Sequence, residues 1–181
     1  MPCIGGALYN RSMSFVHLRT HTEFSVIDGT LRIADAVAAA QADGQGACAI
    51  TDLGNLFGTV KFYTACRAAG VKPLIGCDIW LEAEGSEKQG SRLLLLVQDD
   101  AGYLHLCELL ARAWTSNVQR AQAVVKWAWL EELGGGLLAL AGADGGAVGQ
   151  ALLAGDVPVH RGRFGVSQGH NALKILPGAS P

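Results

Sequence analysis

The chain has 181 residues, half of them apolar, and a formal net charge of −2; that is the size of one globular domain and excludes a disordered chain. The charge is uneven, because residues 1–156 carry 11 Lys and Arg against 16 Asp and Glu, whereas residues 157–181 carry three basic residues and no acid. An acidic body lacks the clustered cations that hold a phosphate backbone, and no apolar run approaches the ~20 residues of a membrane span, so neither strong DNA binding nor membrane insertion is expected of this segment.

Residues 1–12, MPCIGGALYNRS, lack the basic start and apolar centre of a signal peptide, and they show no periodicity. With Met13 as a candidate start, residues 1–13 are read as a leader outside the fold, and the cytoplasm is the expected compartment. FVHL (15–18) reads as a short first strand. Asp28-Gly29-Thr30 then forms a turn, with Thr30 as the N-cap of a helix over 31–44. In that helix Leu31, Ala34, Val37, Ala38 and Gln41 fall at helical spacing, and Gly44 supplies the stop. ACAITD (47–52) is a buried-type strand. Asn55 is placed to cap the next helix, which sets Leu56, Val60, Tyr63 and Cys66 on one face and ends at Gly70.

PLIGCDIWLE (73–82) reads as the third strand, followed by a polar loop, and RLLLLVQ (92–98) as a continuous apolar strand of the doubly covered kind. A long helix is expected over 100–117 from Asp99 or Asp100, a short one over 126–133, a fifth strand over 136–142 and a last helix over 146–156. Strands alternating with helices imply an α/β fold with parallel pairing, open or closed into a barrel. From Val157 the chain turns basic and rich in Gly and Pro, and 157–181 is read as an atypical, unstructured tail. The five cysteines, Cys3, Cys48, Cys66, Cys77 and Cys107, form no CxxC pair; four sit among apolar neighbours, as small core residues do in a reducing compartment. The tryptophans read mainly as packing residues, with one of Trp127 and Trp129 facing outward. The glycines of 142–149 read as a turn, since no GK[ST] follows.

The chemistry-bearing cluster lies in HLRTHTEFSVIDG (17–29), AITDLGN (49–55) and IGCDIW (75–80). These segments place His17, His21, Asp28, Asp52 and Asp78 at or just after the C-terminal ends of the first three strands, the rim where ligands bind in parallel α/β folds. Imidazoles and carboxylates gathered there suit zinc or manganese, and two such ions would activate water for phosphoester hydrolysis. The competing reading is that they are strand-end polar residues bonded to nearby backbone.

Together with TVKFYTACRAAGVKPLIGCD and LLLLVQDDAGYLHLCELLARAW, these motifs resemble the PHP (polymerase and histidinol phosphatase) domain, in the form carried by bacterial DNA polymerase III alpha subunits. The resemblance spans roughly 14–156 and implies the first part of a distorted, TIM-like β/α barrel. The departures from the family pattern bear on mechanism. Of the ligand positions that the resemblance implies, His21, Asp28 and Asp78 keep a ligand-type side chain, whereas Arg19, Leu53 and Arg92 stand where metal-binding relatives carry histidines. At ~4 Å and an effective dielectric of ~20, each protein cation repels each unit of metal charge by about 4 kcal/mol. Leu53 has no lone pair. Arg19 is instead expected to pair with Asp28, Asp52 or Asp78, with His17 and Asp52 as further rim partners.

No catalytic residue and no cofactor are therefore expected in this chain. Magnesium belongs to a polymerase domain that the chain does not contain. The resemblance implies a non-catalytic scaffold whose partners are the rest of the alpha subunit and its proofreading exonuclease subunit, with DNA met only through the full-length protein. The alternative is a manganese- or zinc-dependent phosphoesterase or 3′–5′ exonuclease surviving on His21, Asp28, Asp52 and Asp78. A third reading, a non-functional gene fragment with open sheet edges, predicts an insoluble or proteolysed product.

Overall fold

The computed structural model describes residues 15–82 and 90–141, together with the backbone of 164–166 and 172–175. The first segment, 15–20, is extended but not a ladder strand; the N–H groups of Ala49 and Thr51 donate to the carbonyls of His17 and Thr20, so it lies alongside β1 (Ala47–Ile50). A short 3₁₀ turn, Glu23–Ser25, follows, capped by Thr22. Helix α1 (Ile33–Ala42) has Arg32 at its N-cap position, not Thr30 as the Asp-Gly-Thr turn suggested. Gly44 has φ +68, the left-handed geometry expected of a helix stop.

Helix α2 (Thr59–Ala69) ends at Gly70, whose φ of +73 lets the chain reverse. Asn55 caps a turn ahead of the helix, accepting from the Phe57 N–H, while Gly58 occupies the N-cap position itself. The expected apolar face is also corrected. Thr59, Phe62 and Cys66 are buried, whereas Val60 and Tyr63 point to solvent, because the face that packs on Ile33, Val37 and Ile50 is the one carrying Phe62 and Cys66.

Strand β2 (Lys72–Leu81) is the centre of the sheet. It pairs in parallel with β1 through Lys72–Ile75, in parallel with β5 (Gln122–Val125) through Trp80 and Leu81, and antiparallel with β3 (Ser91–Val97). Only nine residues separate β2 from β3, too few for the crossover that a parallel neighbour needs. The sheet is therefore mixed, not parallel throughout. Helix α3 (Asp100–Ser116) is capped by the Asp99 carboxylate, which accepts from the Gly102 N–H. It leads into a hairpin of β4 (Val118–Gln119) and β5 that the sequence reading missed. Its turn holds Arg120 and Ala121 at positive φ, without the Asn-Gly signal that marks such turns. Helix α4 (Trp127–Leu133) and β6 (Leu137–Ala141) follow, with β6 antiparallel to β3. Trp127 and Trp129 both pack against the core, so neither is the outward residue expected from their spacing.

Within the span 157–181, β7 (Phe164–Val166) and β8 (Ala172–Ile175) pair with each other, and β8 pairs with β6. The strand order is β4-β5-β2-β3-β6-β8-β7, with β1 beside β2. The leader, the helix expected over 146–156 and the glycine turn of 142–149 lie outside the described residues.

Side chains alternate across β2, and the alternation divides the molecule. Cys77, Ile79 and Leu81 join Leu93, Leu95, Leu106, Leu109 and Leu130 in one core under α3 and α4. Ile75 packs against a second core of Ile33, Val37, Ile50, Phe62 and Cys66 under α1 and α2. The opposite face of β2 carries Asp78 and Trp80, which pair in register with Leu94 and Arg92 of β3. All described helices thus share one face, leaving the polar side chains of β2 and β3 on the other.

Candidate functional site

Asp78 is the seventh of ten residues in β2, inside the strand rather than at its end. It reaches the rim because β1 stops at Ile50 and only a single bridge, Leu53 to Asp78, continues beside it. Arg92 arrives from the opposite direction. Being the second residue of an antiparallel strand, it sits across from Trp80, at the end of the sheet where β1 and β2 finish. His21 and Asp28 come from the loop between the first extended segment and α1. That loop closes tightly over Gly29, where a Cβ would stand 2.0 Å from the Thr22 carbonyl oxygen.

These residues converge on one carboxylate. Asp78 Oδ2 accepts from Arg19 Nε at 2.9 Å, from Arg92 Nη2 at 2.8 Å and from His21 Nε2 at 3.1 Å, and its Oδ1 accepts from Arg92 Nε at 3.1 Å. The other imidazole nitrogen, Nδ1, lies 3.0 Å from Asp28 Oδ1, and Arg92 Nη2 is 3.7 Å from Asp28 Oδ2. Arg92 also stacks on Trp80, its guanidinium carbon 5.1 Å from the ring centre. The Asp78 side chain is only 1% exposed, and burial alone would raise its pKa. Hydrogen bonds from His21 and Arg92, with the charges of Arg92 and Arg19, outweigh burial and bring it down to about 2. The hydrogen bond to Asp78 raises the pKa of His21, against the opposing effect of burial and with help from the charge of Asp28. Only the imidazolium can donate from both ring nitrogens, so the geometry and the direction of the shift agree.

Asp52 is placed differently from its expected role as a rim ion-pair partner. It is 1% exposed and accepts from the Thr22 N–H (2.6 Å), the Thr22 hydroxyl (2.8 Å) and the Ser25 hydroxyl (2.9 Å). Ser25 Oγ in turn accepts from the Leu53 N–H. Asp52 therefore anchors the 3₁₀ turn, and no ion pair involves it among the described residues. His17 is exposed and packs edge-on against Phe15 at 4.7 Å, and no ion pair involves it among the described residues. Thr22 and Ser25 were not legible as anchors. The signal available was a Thr that can cap the turn carrying Ser25.

The donor set as arranged does not fit a two-metal centre. Both oxygens of Asp78 and both nitrogens of His21 are engaged, two guanidiniums crowd the same carboxylate, and Leu53 offers only a backbone amide already bonded to Ser25. Among the described residues no three His, Cys, Asp or Glu side chains gather into a metal-holding group. Cys48, Cys66 and Cys77 are buried free thiols and Cys107 is partly so. Burial pushes the pKa of Cys66 up to about 11, far from a reactive thiolate. Among the described residues no helix is long and apolar enough to cross a membrane.

The PHP domain family matches residues 17–171. DNA polymerase III subunit alpha of Pseudomonas aeruginosa is 41% identical over 145 residues, covering 80% of this chain and 12% of that protein. The Escherichia coli K12 subunit of the same name is 39% identical over 142 residues, covering 78% and 12%. The chain thus spans about an eighth of the length of these relatives. Among solved structures, an amidohydrolase from Chromobacterium violaceum with bound sulfate and no metal overlaps 54% of this chain and 32% of its own, at a TM-score of 0.44 and 20% identity.

Proposed function

The chain belongs to the PHP domain family, and on that premise we propose that it serves as the PHP segment of a DNA polymerase III alpha subunit, with a site that is a structural ion-pair cluster rather than a hydrolytic centre. The observation that carries this reading is the seating of Arg19, His21 and Arg92 on the single carboxylate of Asp78. In a hydrolytic site that carboxylate would have to face metal cations and a reacting phosphoester. Here three protein cations take that place, and they tie the N-terminal segment and β3 to the central strand. Charge-assisted bonds of this kind are short, directional and roughly twice as strong as neutral ones.

The work left to such a domain is mechanical. It presents a fixed surface to the remainder of an alpha subunit and to the proofreading exonuclease. Template-directed nucleotidyl transfer, the activity proposed for the whole protein, needs paired carboxylates holding magnesium in a separate domain. Identity of about 40% to alpha subunits across four-fifths of the chain supports the assignment to that protein, in the cytoplasm.

Metal analysis of the purified chain tests the reading, alongside an Arg19→His/Leu53→His/Arg92→His variant. The expected result is a natural chain without stoichiometric manganese or zinc and a variant that acquires one of them. Stoichiometric metal in the natural chain, with phosphoester hydrolysis abolished by a chelator, would overturn the proposal in favour of a phosphoesterase or exonuclease.

A further inference from the structure

Beside the ion-pair cluster lies an apolar cavity of about 230 Å³. Leu53, Trp80 and Trp114 line it, and Val26, Ile27 and Phe57 stand at its mouth, 80%, 76% and 75% exposed. We propose that this cavity is a docking site for a protein partner that brings an apolar side chain flanked by carboxylates.

The fold holds these side chains in water at a cost. Val26 adopts φ 63 and ψ −48, and the Ile27 N–H donates to the Ser25 carbonyl at 2.6 Å, which makes a γ-turn of the strained hand. A β-branched residue in that geometry is an outlier that the surroundings must impose. They do so from both sides. Ser25 is tied to buried Asp52, and Asp28 is tied to His21. The strained turn displays Val26 and Ile27 next to Phe57 and Trp114, and a contiguous apolar patch of that kind marks an interaction surface.

Much of the polar lining is already bonded: Asn55 bonds the carbonyls of Phe24 and Leu53 and the N–H of Phe57, and Trp114 Nε1 donates to the Gly54 carbonyl. Trp80 Nε1 is buried without an acceptor. The cavity therefore recognises apolar bulk. Its rim decides the charge of the ligand. Arg92 lies over Trp80, Arg120 directly precedes Ala121 of the lining, and the Arg19 side chain is half exposed. Arg19, His21 and Arg92 outnumber Asp28 and Asp78, the two carboxylates that engage them, by one positive charge, and Arg120 adds another. In a chain of net charge −2 this is a locally positive border, and it favours carboxylates beside the anchoring side chain. A single apolar slot, without a track of cations leading from it, suits a peptide anchor better than a nucleic-acid strand. The proposal stands whether or not the neighbouring cluster holds a metal.

The test uses the full 181-residue chain and follows the indole N–H resonances of Trp80 and Trp114. Three probes are titrated: a blocked Asp-Glu-Leu-Phe-Glu-Asp peptide, its Lys-Lys-Leu-Phe-Lys-Lys counterpart, and a short oligothymidylate. The expected result is a saturable shift of both signals with the acidic peptide alone, weakened about tenfold in Phe57→Ser and in Arg120→Glu. Both positions are exposed, so these variants keep the fold, and an unchanged melting curve verifies it. Val26→Gly relieves the turn and should raise the melting temperature while weakening the peptide. No saturable shift with the acidic peptide, an equal response to the basic one, or a response to the oligonucleotide alone would each overturn the proposal. So would a Val26→Gly chain that is more stable and binds as well.

Discussion

The Asp78 carboxylate illustrates how one buried charge is made tolerable. Taken from water alone it would carry a large desolvation penalty, and it persists because three cationic donors from Arg19, His21 and Arg92 surround it. Removing the acceptor should be more damaging than its single position suggests. Asp78→Asn leaves Arg19 without its carboxylate and His21 and Arg92 with Asp28 alone, and a loss of about 3–5 kcal/mol in denaturant unfolding is expected. The pH dependence follows from the directions of the shifts. Asp78 titrates near 2 when folded against 3.8 ordinarily; its contribution, on the order of 2 kcal/mol, is complete above the ordinary value and is lost as pH falls from there towards 2. His21 is raised above 6.5, so its contribution is complete below that value and is lost as pH climbs through the raised one. Unfolding measured at stepwise pH should therefore show an acid limb and an alkaline limb. Both should flatten in Asp78→Asn, and limbs that survive that substitution would show that other groups produce them.

Elements depend on a few local devices, and these are open to single substitutions. Gly29 lets the loop carrying Asp28 pass the Thr22 carbonyl, where a Cβ would stand only 2.0 Å away. Gly29→Ala should force the loop outward and cost about 1–3 kcal/mol, read as a lower denaturation midpoint with an unchanged slope. The Asp99 carboxylate caps α3 through the Gly102 N–H, and Asp99→Ala should cost about 0.5–2 kcal/mol in the same measurement. Sequence reading succeeded best where such devices carry their own signature. Gly44 and Gly70 stop helices at positive φ, and the Asp99 cap fixes the start of α3. It failed where local preference was overridden. Thr30 is a good capping residue, but α1 begins at Ile33 after an extended Arg32, and the β4–β5 hairpin turns through Arg120 and Ala121, residue types that do not announce a turn.

At the scale of the molecule, β2 is the hub, since it alone pairs with β1, β3 and β5. Amide hydrogens of β2 and β3 should exchange slowest and those of the short β4–β5 hairpin markedly faster, a ranking that exchange followed by mass spectrometry can check. Leu95 is fully buried between the two strands and α3, and Leu95→Ala should remove about 2–5 kcal/mol.

The same scale separates what the sequence settles from what only folding decides. The sequence by itself determines the helices and principal strands from 31 to 141, because apolar periodicity and glycine stops are local properties. It also puts Arg19, Leu53 and Arg92, two cations and an apolar side chain, among the motifs of the candidate site. It does not determine the mixed sheet, and that is what assembles the cluster. A parallel β3 would carry Arg92 to the far end of the sheet. The short β2–β3 connection turns the strand back and sets Arg92 across from Trp80, within reach of Asp78. Nor does the sequence reveal that Asp52 turns inward to Thr22 and Ser25 while Asp78 takes all three cations. Carboxylates of the same type are told apart only by which donors the packed chain brings within 3 Å or so of each, and that is a property of the tertiary structure.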